Sequence, residues 1–168
     1  MSTDQNAVRN AAAEHSRILY SWAATACANP LPEAIRRRAA TILADDIGAI
    51  VAGSLEPQVA KAREGFRKIA TGQAEATVFA KGAARLDVGA AACSNGMAIT
   101  WCELDEGFRN ASCHGGAYTI PALIAEAEAR NLSVEQVLRA VAVAYEVTTR
   151  FALAYPFPGF YVHPHAAF

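Results

Sequence analysis

Between Trp101 and Gly116 the chain reads Trp-Cys-Glu-Leu-Asp-Glu-Gly-Phe-Arg-Asn-Ala-Ser-Cys-His-Gly-Gly. This stretch gathers Glu103, Asp105, Glu106, Arg109 and His114 between apolar segments. Imidazole and carboxylate groups transfer protons near neutral pH, and a dense polar loop between apolar helices is where a site is built. The plainer alternative is a helix cap with a surface pair between Arg109 and Glu106. A second cluster, Phe160-Tyr-Val-His163-Pro-His165, breaks the helical pattern near the end of the sequence. Two histidines flanking a proline are a weak metal pattern, and ordinary loop histidines are the better reading, so no metal site is assigned. The sequence holds no GxGxxG, Walker A, HExxH or GxSxG pattern, which removes the usual nucleotide, zinc-protease and serine-hydrolase readings.

The elements that must position these residues are helical. Ile18, Leu19, Trp22 and Ala26 fit a first helix ending near Asn29-Pro30. Pro32-Glu33 opens the next, where proline is tolerated and an acid meets the helix dipole. Its expected inner face is Ile35, Ala39, Ile42, Leu43, Ile47, Ile50 and Val51, and Gly53-Ser54 ends it. Arg36, Arg37 and Arg38 read as a solvated or carboxylate-paired face. Glu56-Pro57 starts a third helix with Val59, Ala62, Phe66 and Ile69 on one side. Ala76 to Phe79 reads as extended, Lys81-Gly82 as a turn. Leu86 to about Cys102 reads as a fourth helix of small residues, placed centrally because small side chains let backbones approach. Tyr118 to Ala129 and a helix opened by the capping-box pattern Ser133-Val-Glu-Gln136 complete the array. The predicted class is all-α, a packed multi-helix array in a single domain.

Composition sets the limits. The 168 residues are 53% hydrophobic and 18% charged, too apolar for a disordered chain. The net charge of −1 leaves no basic surplus for nucleic acid. Charged residues or glycine interrupt every apolar run before it reaches membrane-spanning length, and the polar N-terminus lacks a signal-peptide core. A cytoplasmic location is expected. Cys27, Cys93, Cys102 and Cys113 form no CxxC and read as small, inert side chains. Cys113 is the exception worth following, because it adjoins His114 in a Gly-rich loop.

Taken in order, these segments resemble the N-terminal helical part of the MmgE/PrpD family. The resemblance rests on Leu31-Pro32-Glu33, on Ile42 to Gly48 and on Ala52-Gly53-Ser54. It continues through Ala76 to Phe79, Arg85-Leu86, Asn95-Gly96, Glu103 to Glu106, Ala144 to Val147 and Val162-His163-Pro164. It covers roughly residues 15 to 165. His114-Gly115-Gly116 stands where the family usually has His-Pro-Gly, and Glu106 stands where Asp is commoner.

The resemblance implies the family's all-helical domain, small di- or tricarboxylate substrates, no metal or organic cofactor, and a homodimer. By position it assigns catalytic roles to Asp105, Glu106, His114 and His163. Arg109 is added from its residue type and place, as a bidentate holder of a substrate carboxylate. The implied reaction is proton abstraction next to a carboxylate, as in 2-methylcitrate dehydratase, a hydro-lyase. Epimerisation of iminodisuccinate type and cis-aconitate decarboxylation are alternatives on the same scaffold. The family continues beyond its second histidine with a later lysine and a lid domain, so the sequence is expected to be incomplete relative to it. An enzyme is expected of a complete parent. For the 168-residue chain alone, a non-catalytic helical module that binds a partner chain is the other reading.

Overall fold

The computed structural model describes residues 3–154. They form six helices: α1 (Thr3–Ala28), α2 (Glu33–Gly53), α3 (Pro57–Ile69), α4 (Val88–Trp101), α5 (Ile120–Ala129) and α6 (Val134–Ala154). Among the described residues the only extended pairings are two isolated antiparallel bridges, Ala76 with Leu86 and Phe108 with Cys113. The all-α expectation holds.

Local signals place the helix ends. Pro57 opens α3, where its missing N–H costs nothing. Asp87 caps α4 by accepting from the Ala90 N–H at 2.9 Å, and it also accepts from the Thr71 and Gly72 N–H groups. These N–H donors, Ala90 first, hold its carboxyl below the ordinary aspartate value. The capping box forms as expected. Gln136 Oε1 accepts from the Ser133 N–H at 2.8 Å, and the Gln136 N–H points back to Ser133 Oγ at 3.3 Å.

α4 packs against α2, α3 and α5, as its small side chains predict. It approaches α2 closely at Gly53, where a Cβ would lie 1.9 Å from the Ala98 carbonyl oxygen. Ile50, Ile99 and Ile120 are wholly buried, each contributing roughly 2 to 3 kcal/mol by leaving water. The exposed ion pairs of the helix surfaces, such as Arg130 with Glu126, contribute far less.

Asn95, buried on α4, ties down the extended segment. Its Oδ1 accepts from the Phe79 N–H at 3.0 Å, and its Nδ2 donates to the Thr77 carbonyl at 2.9 Å. Glu128 of α5 accepts from the Thr77 N–H and hydroxyl.

The structure departs from the sequence reading in several places. α1 starts at Thr3, so the polar N-terminal stretch is helical too, and Ile18 and Trp22 are exposed. Ile35 and Val51 on α2 and Ile69 on α3 are also exposed rather than inward. The buried stripe of α2 is narrower than the hydrophobicity pattern: Ala39, Ile42, Asp46, Ala49, Ile50 and Gly53. Leu86 belongs to the bridge, because the Asp87 cap begins α4 one residue later. Of the arginine run, Arg36 pairs with Glu33 and Glu135, and Arg37 with Glu33.

Candidate active site

The loop from Cys102 to Thr119 leaves α4 through Glu103, whose positive φ of 51° turns the chain out of the helix. The Phe108–Cys113 bridge then folds it back, the Phe108 N–H donating to the Cys113 carbonyl at 2.7 Å. That return brings His114 beside Asp105. His114 Nδ1 lies 2.8 Å from Asp105 Oδ2. The Asp105 side chain is 2% exposed and the His114 side chain 24% exposed, so the acid is sealed while the ring meets solvent.

Glu106 does not pair with Arg109. Its Oε1 accepts from the Gly116 N–H and its Oε2 from the Tyr145 hydroxyl, both at 2.6 Å. One carboxylate therefore draws the two ends of the loop together and ties it to α6. Tyr145 also meets Phe108 edge-on at 6.5 Å. Burial, followed by the bond to Glu106, raises the Tyr145 phenol, while Arg38 pulls the other way. Burial also pushes the Tyr118 phenol up to about 12.

Both glycines after His114 have a structural reason. A Cβ at 115 would lie 3.0 Å from the Tyr145 ring, which leaves little room for a larger residue there. A Cβ at 116 would lie 1.9 Å from Asp46 Oδ2 and 3.0 Å from Glu106 Oε1. We expect Gly116→Ala to destabilise the chain by about 1 to 3 kcal/mol through overpacking, measured by urea unfolding. An unchanged midpoint would contradict the tight approach.

Asp46 is the residue that sequence reading missed as part of the site. It is 0% exposed, in the buried stripe of α2. Its signal was present, since position 46 falls four residues after Ile42 and four before Ile50 on an otherwise apolar face. Tyr145 carries no site signal in the sequence beyond its place in the Ala144 to Val147 segment. Its hydroxyl reaches a loop 39 residues away in sequence, which helical spacing does not reveal.

Of the expected site residues, Asp105, Glu106 and His114 are brought together. Arg109 is exposed on the loop and forms no ion pair among the described residues. His163, with His165, lies outside the described residues. Cys113 is buried, and burial followed by the charge of Glu106 pushes its thiol up to about 11, the reverse of an activated nucleophile. Among the described residues no three His, Cys, Asp or Glu side chains converge as metal ligands. An open groove of about 400 Å³ lies elsewhere, between Leu43, Ile47, Ile124 and Val137, with Arg85 and Glu128 also lining it. No residue of the acidic loop lines that groove.

The molecule is thus an all-helical domain carrying a histidine–carboxylate constellation on the loop between two central helices. The MmgE/PrpD N-terminal domain model matches residues 17–168, and the chain belongs to that family. Comparison with curated proteins and with solved structures gave no significant match. No helix among the described residues is long and apolar enough to cross a membrane.

Proposed function

We propose that this chain carries the proton-transfer site of an MmgE/PrpD-type lyase acting on a small di- or tricarboxylate, of the 2-methylcitrate dehydratase kind. The observation that supports this most is the His114–Asp105 pair, a partly exposed imidazole backed by a sealed carboxylate. A carboxylate 2.8 Å from Nδ1 orients the ring. Nε2 is then the atom that takes or returns a proton at the carbon next to a substrate carboxylate. Carbon acids of this kind are weak, so charge developing on the substrate also needs cations or donors. Arg109 on the loop and Arg38, whose charge reaches Tyr145, are the candidate cations. His163 is assigned the second proton transfer, at the departing hydroxyl. The family reading also includes a homodimer, and the exposed Ile18, Tyr20 and Trp22 of α1 offer apolar surface for one.

The test is a substrate panel on the complete protein from its native source: citrate, 2-methylcitrate, cis-aconitate and iminodisuccinate, read by product analysis. Loss of water from 2-methylcitrate is the expected result. Inverted iminodisuccinate or decarboxylated cis-aconitate would move the reading to the epimerase or decarboxylase alternative. No turnover of any of the four would overturn it.

A further inference from the structure

Asp46 differs from every other acid among the described residues, because it is the one that is wholly buried. Neither of its carboxyl oxygens accepts a hydrogen bond of ordinary geometry among those residues, although the Glu106 backbone N–H bears on it. An ionised carboxyl in such a place is strongly disfavoured. Its surroundings add to the penalty. Asp45 adjoins it on α2, and Asp105 and Glu106 face it from the loop. α4 brings no charged side chain, only the exposed thiol of Cys93. α6 brings Tyr145, on which Arg38 acts, and His114 is engaged by Asp105. The charges acting on Asp46 are carboxylates.

Glu106 is in the opposite position. Each of its oxygens accepts a short hydrogen bond, from the Gly116 N–H and the Tyr145 O–H, which is the role of an ionised carboxylate. Both acids crowd the point a Gly116 Cβ would occupy. Their oxygens therefore lie within about 5 Å of each other, where like charges oppose one another strongly.

We propose that Asp46 is a positioning residue: held as the neutral acid beside the Gly115–Gly116 turn, it leaves Glu106 as the only anion of the pair and so keeps the acidic loop fastened to α6. Ionising Asp46 would set two carboxylates against each other and push Glu106 off its two donors. The loop that presents Asp105 and His114 would then loosen. Burial, and after it the charge of Glu106, pushes Asp46 up to about 7, against the opposing pull of the Glu106 backbone N–H. The fold thus favours the protonated form. That contribution to stability is complete below the ordinary aspartate value, declines as pH rises, and is lost by about pH 7. The effect on catalysis rests on the function proposed above, whereas the proton on Asp46 does not.

The experiment is a pH titration of the whole chain by carbon-detected NMR, with the Asp46 carboxyl assigned through its own backbone. The Gly116 amide is followed in the same samples. The Asp46 carboxyl should titrate near pH 7, and the Gly116 amide should shift with the same midpoint. In Asp46→Asn, which mimics the neutral acid, the Gly116 amide should hold still over that range. An Asp46 carboxyl that titrates in the ordinary aspartate range overturns the proposal. So does a Gly116 amide that ignores its titration. Both measurements on the unaltered chain decide the matter even if the variant does not fold. If the panel finds a substrate, turnover should lose its alkaline decline near pH 7 in Asp46→Asn. A chain that turns over nothing while the NMR titration stands would sink the functional reading and leave the positioning role intact.

Discussion

His114→Ala should reduce turnover by about 10² to 10⁴-fold, the usual contribution of a positioned acid–base group. The ring is the exposed half of a pair whose acid is sealed, so its loss removes a proton carrier and not a core side chain. Circular dichroism and the unfolding midpoint should change little, because the apolar packing of α2, α4 and α5 is untouched. The assay belongs on the complete protein with the substrate that the panel identifies. Near-normal kcat in this variant would refute the assignment. A drop confined to KM would instead make His114 a binding residue. Asp105→Asn is a useful companion. It should keep the loop folded while weakening the hold on Nδ1, and so lower kcat without removing the ring.

The largest loss of stability should come from Gly53→Ala. The new methyl would meet the backbone of α4, 1.9 Å from the Ala98 oxygen and 2.9 Å from its carbonyl carbon. A flexible side chain could swing away, but a helix backbone cannot, so α2 and α4 must separate. Overpacking of this kind costs about 3 kcal/mol or more, which for a chain of this size lowers Tm by roughly 10 °C. Thermal unfolding checks it, and a Tm within a degree or two of the unaltered chain would mean the helices are further apart than described. The neighbouring Gly48 is the control. Nothing lies within 4 Å of a Cβ built there, so alanine at 48 should be tolerated.

These two positions show how far the sequence could be read. Helix identities were legible because proline, capping side chains and helical spacing act over a few residues. The Ser133–Gln136 box and the Pro57 start are examples. The central place of α4 was legible from its glycines and alanines. The width of the buried stripes was not. Ile35, Val51 and Ile69 fit the apolar period yet face water, because burial depends on which neighbour covers a face. In the site, the run from Asp105 to His114 could be picked out because its polar residues are adjacent in sequence. The partners of Glu106 could not, since Tyr145 is placed by the packing of α6. Asp46 was hidden for a different reason. Counting apolar positions passes over an acid on the same stripe, although such an acid is the more informative residue.

The clamp formed by Asn95 and Glu128 has a consequence for how the domain behaves in a crowded solution. A short extended strip without a sheet around it ordinarily offers its main-chain groups to any passing chain, and such edges seed aggregation. Here Ala76 exchanges both its N–H and its carbonyl with Leu86. The Thr77 carbonyl and Phe79 N–H go to one carboxamide, and the Thr77 N–H goes to a carboxylate. Most of the strip's main-chain groups are thus engaged from within, and a foreign strand would find few open ones to which it could add.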